Sequence, residues 1–280
     1  MSARPLAGRE AAAAVRAAAA DAVARADAVT LAVVTATGDE SAAWYVRSLS
    51  TAAARLGIGF AVTDLGAGAS AAQIAATLRA LSADEGVHGI ILQTPLPAGL
   101  RLAELAGGIP QAKDVDGANP LSLGRLTAGL PAFAPATAAA VLVLLDFHGV
   151  EVAGRRAVVV GRSAVVGQPL AQLLLGRDAT VTVCHSRTPD LAAVTREADI
   201  LAVAAGRAGL ISARHVRPGA VVVDVGTNPT ADGGLAGDVD AASVAPVAGA
   251  LAPVPGGVGP VTTAQLLLNT ARAAAGGRSG

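Results

Sequence analysis

Two hydrophobic periods take turns along this chain. GREAAAAVRAAAADAVARA (8–26) sets its charged residues at helical intervals, TLAVVTA (30–36) is a short β-branched run, and ESAAWYVRSLSTAAARL (40–56) returns to the helical period and stops at Gly57. GFAVTDL reads as a strand, SAAQIAATLRALSA as a helix with Ser70 as its N-cap, and VHGIILQ (87–93) as another strand. Residues 94–136 break the rhythm with TPLPAGL, IPQAKDVDGANPLSLGR and LPAFAPAT, a stretch too long and irregular to be an idle connection. A helix over 137–148 opens a second series: RAVVVGRSAVVGQPLAQLLL, ATVTVCHS, ADILAVAAG and GAVVVDVGTN. LAPVPGGVGPVTTAQLLLNTARAAA then leads a glycine-proline loop into a C-terminal amphipathic helix. Strands alternating with helices imply parallel sheets, so the fold class is α/β in two lobes. The expected division is an N-terminal lobe, 1–140, completed by the C-terminal helix 261–280, and a second lobe, 141–260.

Composition narrows the function. The 280 residues are 52% hydrophobic, mostly Ala and Val, yet no apolar stretch approaches the roughly 20 residues that span a bilayer. Twenty-one basic residues balance 21 acidic ones, which leaves no broad basic face for nucleic acid or anionic lipid, so neither nucleic acid nor membrane is an expected partner. A lone cysteine, Cys184, cannot form an internal disulfide or a paired-cysteine zinc site, and a cytoplasmic protein is expected. His88, His148, His185 and His215 share no spacing, and no cluster suggests a metal. Among the 21 Lys and Arg residues Lys113 is the single lysine.

AVVVGRSAVVGQPLAQLL sets Gly161, Arg162, Ser163, Gly167 and Pro169 between a strand and a helix. Glycines there let the main chain approach a pyrophosphate, which the helix N-terminus attracts; a plain βα turn is the alternative. The next strand ends in Cys184-His185-Ser186-Arg187 without the carboxylate that an NAD site uses for the ribose hydroxyl. Arg162, Ser186 and Arg187 offer donors for a 2′-phosphate instead, which points to NADP. Elsewhere, Gln93 ends an apolar strand and, as an amide needing partners, suggests a site residue. Asp114 and Asp116 suit either ligand recognition or Asx turns before Gly117. Trp44 and Tyr45 are neighbours on a helix, so they point about 100° apart, one toward a cleft and one toward the core.

Six strings together, VHGIILQTPLP, KDVDGANPLSLGRL, VVVGRSAVVGQPLAQLLL, TVTVCHSRT, GAVVVDVGTN and APVPGGVGPVTTAQLLLNT, resemble the bifunctional methylenetetrahydrofolate dehydrogenase/cyclohydrolase family over nearly the whole chain. The resemblance implies a Rossmann-like NADP lobe, a folate-binding lobe and a homodimer. It further implies that Tyr45 stacks on the folate ring, Gln93 sits at the reacting centre and Asp114 pairs with the pterin. Pro255, Gly256 and Gly257 would line the meeting point of nicotinamide and folate, with Thr227 beside it. One departure stands out. The family has a lysine four residues after the tyrosine, on the same helix face, and this chain has Leu49 there. Ala42, Ala136 and Ala138 also make the region more apolar than the family pattern. Hydride transfer needs mainly the cofactor and an aligned carbon, whereas hydrolysis gains from acid-base help. Three readings follow: an NADP-linked methylenetetrahydrofolate dehydrogenase with weak or lost cyclohydrolase activity, an NADPH-dependent reductase of a non-folate cyclic imine, and a silent dinucleotide-binding protein.

Overall fold

The computed structural model describes residues 2–230 and 233–276. In chain order the elements are β1 (Arg4–Pro5), α1 (Gly8–Val23), β2 (Thr30–Thr35), α2 (Glu40–Ala54), β3 (Gly59–Asp64), α3 (Ala71–Ala83), β4 (Gly89–Leu92), α4 (Leu102–Ala106), α5 (Pro120–Thr127) and α6 (Ala136–Phe147). There follow β5 (Arg156–Val160), α7 (Gly167–Leu175), β6 (Thr180–Cys184), α8 (Leu191–Thr195), β7 (Ile200–Val203), β8 (Val221–Asp224), β9 (Asn228–Pro229), β10 (Leu235–Ala236), α9 (Ala241–Val244), β11 (Ala250–Ala252) and α10 (Val258–Ala274). Two compact units result: residues 1–13 with 137–262, and residues 14–136 with 263–280. No helix among the described residues is long and apolar enough to cross a membrane.

The first unit is built on a six-stranded sheet ordered β1-β11-β8-β7-β5-β6, parallel throughout. The strand order reverses between β5 and β7, and the carboxyl edge at such a switch point is where doubly wound sheets bind ligands. Val158, Val160, Leu201, Val203 and Val222 fill one face together with Ile211, Val216 and Val244. These strands read as continuous apolar runs because a sheet covered by helices buries both faces. The first thirteen residues differ from the sequence expectation, which gave them to the N-terminal lobe. They join this unit, where β1 pairs in parallel with β11 as Arg4↔Ala250 and Pro5↔Leu251. Arg4 Nη1 donates to the His148 carbonyl (3.2 Å), and the His148 ring pairs with the Ala7 carbonyl (3.0 Å).

The second unit holds a three-stranded parallel sheet, β3-β2-β4. Strand alternation sorts its side chains. Leu31, Val33 and Ile91 pack with Val46, Leu49 and Ala53 of α2 and with Leu266 and Leu267 of α10, while Ala32, Val34, Ile90 and Leu92 pack with Ile74 and Leu78 of α3. Each such aliphatic side chain contributes about 1.5–3 kcal/mol on burial. The helices start where their caps allow. Asp39 accepts the Ala42 N–H (2.8 Å) ahead of α2, and Ser70 and Gln73 form a capping box on α3.

Candidate active site

In the first unit, the turn from β5 to α7 contains two glycines that no other residue could replace. Gly161 has φ +122°, and a Cβ there would lie 2.1 Å from the Ala204 carbonyl oxygen; at Gly167 it would lie 2.2 Å from the Gly161 oxygen. Both glycines are therefore required by the loop's own main chain. Within this tight turn the Ser163 hydroxyl accepts the Val166 (3.2 Å) and Gly167 (3.3 Å) N–H groups, and the Ser163 carbonyl accepts from Gln168 (3.0 Å). Ser163 is thereby spent on building the turn. The N–H groups of Arg162, Ser163, Ala164 and Val165 have no partner among the described residues, which leaves four successive donors ahead of the α7 N-terminus. Such a cradle suits a pyrophosphate. Pro169 lies in the first turn of α7, where a missing N–H costs nothing. Gly161→Ala is expected to lower stability by about 2–4 kcal/mol, through the close approach and the disallowed φ, and to abolish cofactor binding; urea unfolding and NADP titration check this.

The register Val160↔Cys184 sets the ends of β5 and β6 side by side, with Arg162 two residues past one end and Ser186 and Arg187 two and three residues past the other. All three are exposed, and neither guanidinium has a hydrogen-bond or ion-pair partner among the described residues. The turn carrying them is fixed: His185 N–H donates to Thr188 Oγ1 (2.9 Å), and Arg187 N–H donates to His185 Nδ1 (3.2 Å). Four of the other exposed arginines in this unit, Arg155, Arg156, Arg177 and Arg217, are paired with a carboxylate, whereas Arg4, Arg9, Arg196, Arg207 and Arg214 have no ion-pair partner among the described residues.

Two buried carboxylates order the loops beyond β7 and β8. Asp238, fully buried, accepts the N–H groups of Ala205 (2.6 Å), Gly206 (2.9 Å) and Arg207 (2.7 Å) and the Asn228 amide (2.9 Å). Asp224 accepts from Gly226 (2.9 Å), Asp238 (3.0 Å) and Val239 (3.0 Å); burial pushes its carboxyl above the usual range despite those bonds. They hold exposed Thr227 in place. Asp238 escaped the sequence reading, because an aspartate in a glycine-rich string looks like an ordinary turn former. The Pro253–Gly257 loop is propped by the N-terminal segment: Gly8 N–H donates to the Gly256 carbonyl (2.8 Å), and a Cβ on Gly8 would lie 1.8 Å from the Gly257 oxygen. Pro255 and Gly256 are exposed and Gly257 is buried.

In the second unit, α2 leaves the carboxyl end of β2 and carries Trp44, Tyr45 and Leu49. Trp44 faces solvent at 60% exposure, so of the two aromatics it is Tyr45 that turns toward the core. Tyr45 is half-buried against the cluster of Val46, Leu49 and Phe133, and burial followed by the charge of Asp116 raises its phenol pKa. Leu49 is 1% exposed, inside the core. Gln93 continues the ladder past β4, its N–H donating to the Val34 carbonyl (2.9 Å). Its Nε2 donates to the Thr94 carbonyl (2.8 Å), and its side-chain oxygen has no partner among the described residues.

Asp114 requires a correction. It is 0% exposed, and its two oxygens accept the N–H groups of Ala118 (2.9 Å) and Asn119 (3.0 Å). Asn119 in turn caps α5 through Leu121 N–H (2.8 Å) and donates to the Ile109 carbonyl (2.7 Å). A carboxylate so enclosed builds the loop and is not available to a ligand, so the turn-forming alternative describes Asp114. Asp116 is different. It is half-buried, its one backbone partner is Ala136 N–H (3.3 Å), and burial, reinforced by the charge of Asp114, pushes its carboxyl up to about 7. Gly117, at φ +59°, must be glycine, since a Cβ would lie 2.6 Å from Phe133 O and Pro135 N. Asp116 and Tyr45 thus come together, and the available carboxylate of the KDVDG string is its second aspartate.

A family description of the tetrahydrofolate dehydrogenase/cyclohydrolase catalytic domain matches residues 6–116, and one of the NAD(P)-binding domain of the same family matches residues 135–277. A protein of Saccharopolyspora erythraea named bifunctional protein FolD 1 is 62% identical over 87% of this chain and 83% of its own length. The crystal structure of the bifunctional FolD methylenetetrahydrofolate dehydrogenase/cyclohydrolase of Campylobacter jejuni superposes with a TM-score of 0.92 at 37% identity, covering 96% of this chain and 97% of that one. The Trypanosoma brucei methylenetetrahydrofolate dehydrogenase-cyclohydrolase, solved with NADP cofactor and inhibitor, gives a TM-score of 0.92 at 35% identity over 98% of both chains. The chain belongs to the tetrahydrofolate dehydrogenase/cyclohydrolase family.

Proposed function

We propose that this protein is an NADP-dependent methylenetetrahydrofolate dehydrogenase whose cyclohydrolase step has been lost. The observation that carries the dehydrogenase assignment is the run of unpaired N–H groups at 162–165 after β5, together with two exposed guanidiniums, Arg162 and Arg187, that have no ion-pair partner among the described residues. These residues fit NADP: the cradle takes the pyrophosphate, and Arg162, Ser186 and Arg187 take the 2′-phosphate. Bound NADP supplies the acceptor for a hydride leaving the substrate's methylene carbon, and the loss of that hydride with its electron pair makes the methenyl cation. On the folate side Tyr45 stacks on the ring system, Asp116 accepts the amino and ring N–H groups of the pterin, and the Gln93 oxygen stands at the reacting centre. Pro255, Gly256 and Gly257, held by Gly8, form the loop that borders the transfer, with Thr227 beside it. No observation favours a non-folate cyclic imine over folate. A cytoplasmic homodimer completes the proposal.

The test is NADPH formation from methylenetetrahydrofolate. Turnover with NADP is expected to exceed that with NAD at equal concentration. Arg162→Ala is expected to raise the NADP KM about tenfold or more while leaving NAD little changed, as removal of a charged contact implies. Equal use of both cofactors, or reduction of cyclic imines without any folate turnover, would overturn the assignment.

A further inference from the structure

We propose that Lys113 is a positioning residue: by clamping the carbonyl end of α3, its ammonium sets the loop that presents Asp116 to the folate. The inference rests on the dehydrogenase reading above and extends it to a residue that touches neither substrate nor cofactor. Cations in this chain are arginine at every position but one, so a site where any positive charge would serve carries a guanidinium. Position 113 is the exception, and its geometry gives the reason. Lys113 Nζ donates to the Ser82 carbonyl (2.9 Å) and the Asp84 carbonyl (2.6 Å), at the last turn and cap of α3. Among the described residues the end of the helix leaves the Ser82 carbonyl without a main-chain partner and the Asp84 carbonyl with only the Val87 N–H (3.1 Å), and a compact ammonium with donors in three directions can serve both at once. A planar guanidinium fork suits the parallel oxygens of a carboxylate instead. Lys113 has no carboxylate partner among the described residues, so its hydrogen bonds serve main-chain geometry alone.

The same residue is fixed through its main chain. Its carbonyl accepts the Ile90 N–H (2.8 Å), three residues before Gln93, and its N–H donates to the Pro110 carbonyl (2.8 Å). Two residues on, the Val115 carbonyl accepts the Asn269 amide (2.9 Å) from α10. The stretch leading to Asp116 is therefore tied to α3 by Lys113, to β4 by Ile90 and to α10 by Asn269. Of these ties, the α3 clamp is the one that rests on a charge. Releasing it leaves the Asp114 turn intact and frees the loop to shift Asp116 relative to Tyr45 and Gln93, which weakens folate binding without touching the cofactor.

Lys113→Met and Lys113→Cys separate this from a purely structural role. Both are expected to raise the KM for methylenetetrahydrofolate about tenfold, with kcat within threefold and the NADP KM within twofold of wild type. Alkylation of Lys113→Cys with 2-bromoethylamine rebuilds an ammonium at nearly the same reach; the other cysteine, Cys184, is buried. This treatment is expected to return the folate KM to within threefold of wild type. A folate KM unchanged in Lys113→Met, or both KM values rising together with a loss of thermal stability and without rescue, overturns the proposal. Should Lys113→Met not fold, Lys113→Arg decides: a raised folate KM supports the clamp and an unchanged one overturns it. If the wild type does not oxidise methylenetetrahydrofolate, the dehydrogenase reading fails separately. Amide exchange over 113–119 then tests the anchor, with faster exchange in Lys113→Met supporting it and equal exchange overturning it.

Discussion

Methenyltetrahydrofolate is expected to hydrolyse at nearly the same rate with and without this protein. The position at which the family resemblance calls for a lysine holds Leu49, which is 1% exposed and packed among Val29, Leu31, Val46 and Ala53. A leucine gives or takes no proton, and positioned acid-base help is worth roughly 10²–10⁴-fold in rate. No other amine side chain takes over, since the single lysine is engaged with the Ser82 and Asp84 carbonyls. Arg47 lies two residues from Tyr45 on α2, about 200° around the helix, and is exposed. The decay of the methenyl chromophore measures this directly, and acceleration by more than about tenfold would show that another group supplies the proton transfer. Leu49→Lys is expected to regain part of the hydrolysis and to lose about 2–4 kcal/mol of stability, because the leucine methyls leave a filled core and an ammonium must reach polar surroundings along it.

The division of the chain into α/β series was legible because period and composition agree wherever a strand is covered on both faces, as in β2, β5, β7 and β8. The N-terminal strand was not. Arg4-Pro5 has no local period, and its pairing partner lies some 246 residues away at Ala250, so only tertiary contact defines it. The cofactor loop was legible as a glycine-bearing strand-to-helix turn, although the glycines answer to Ala204 and Gly161 carbonyls rather than to a ligand. Asp114 and Asp116 are the same residue type two positions apart, and sequence alone treats them alike. What separates them is which one finds the free N–H groups of the coming helix start, four and five residues on. Asp114 stands at that distance from Ala118 and Asn119, which is a readable signal once Asn119-Pro120 is taken as a helix start.

Substitutions at these two aspartates are accordingly expected to have crossed effects. Asp116→Ala should weaken folate binding by about 10–150-fold, the worth of a charged hydrogen-bond partner at 1.5–3 kcal/mol, with the fold intact. Asp114→Ala should cost about 2–4 kcal/mol of stability by stranding the Ala118 and Asn119 N–H groups in the interior, and it should alter folate binding only through the loop. The pH dependence gives Asp116 a second signature. Its carboxyl is pushed up to about 7, first by burial and then by Asp114, from 3.8 in the free chain. Between those two values the folded protein keeps a proton that the unfolded chain has released. Stability therefore falls as pH rises from about 4 to 7 and levels off above. Asp114 and Asp224 are raised too, so they slope the same way. Asp116→Asn removes one such contribution, and the variant should be more stable than wild type at pH 8 by about 1–3 kcal/mol, a gain that disappears below pH 4. Folate binding moves oppositely, since a pterin edge of donors selects the ionised carboxylate: in the wild type its KM should fall as pH passes upward through about 7, while in Asp116→Asn it should stay high and flat. Urea unfolding and steady-state kinetics across this range measure both. A wild-type KM that does not change around pH 7, or an Asp116→Asn stability that tracks the wild type at every pH, would place the recognising carboxylate elsewhere.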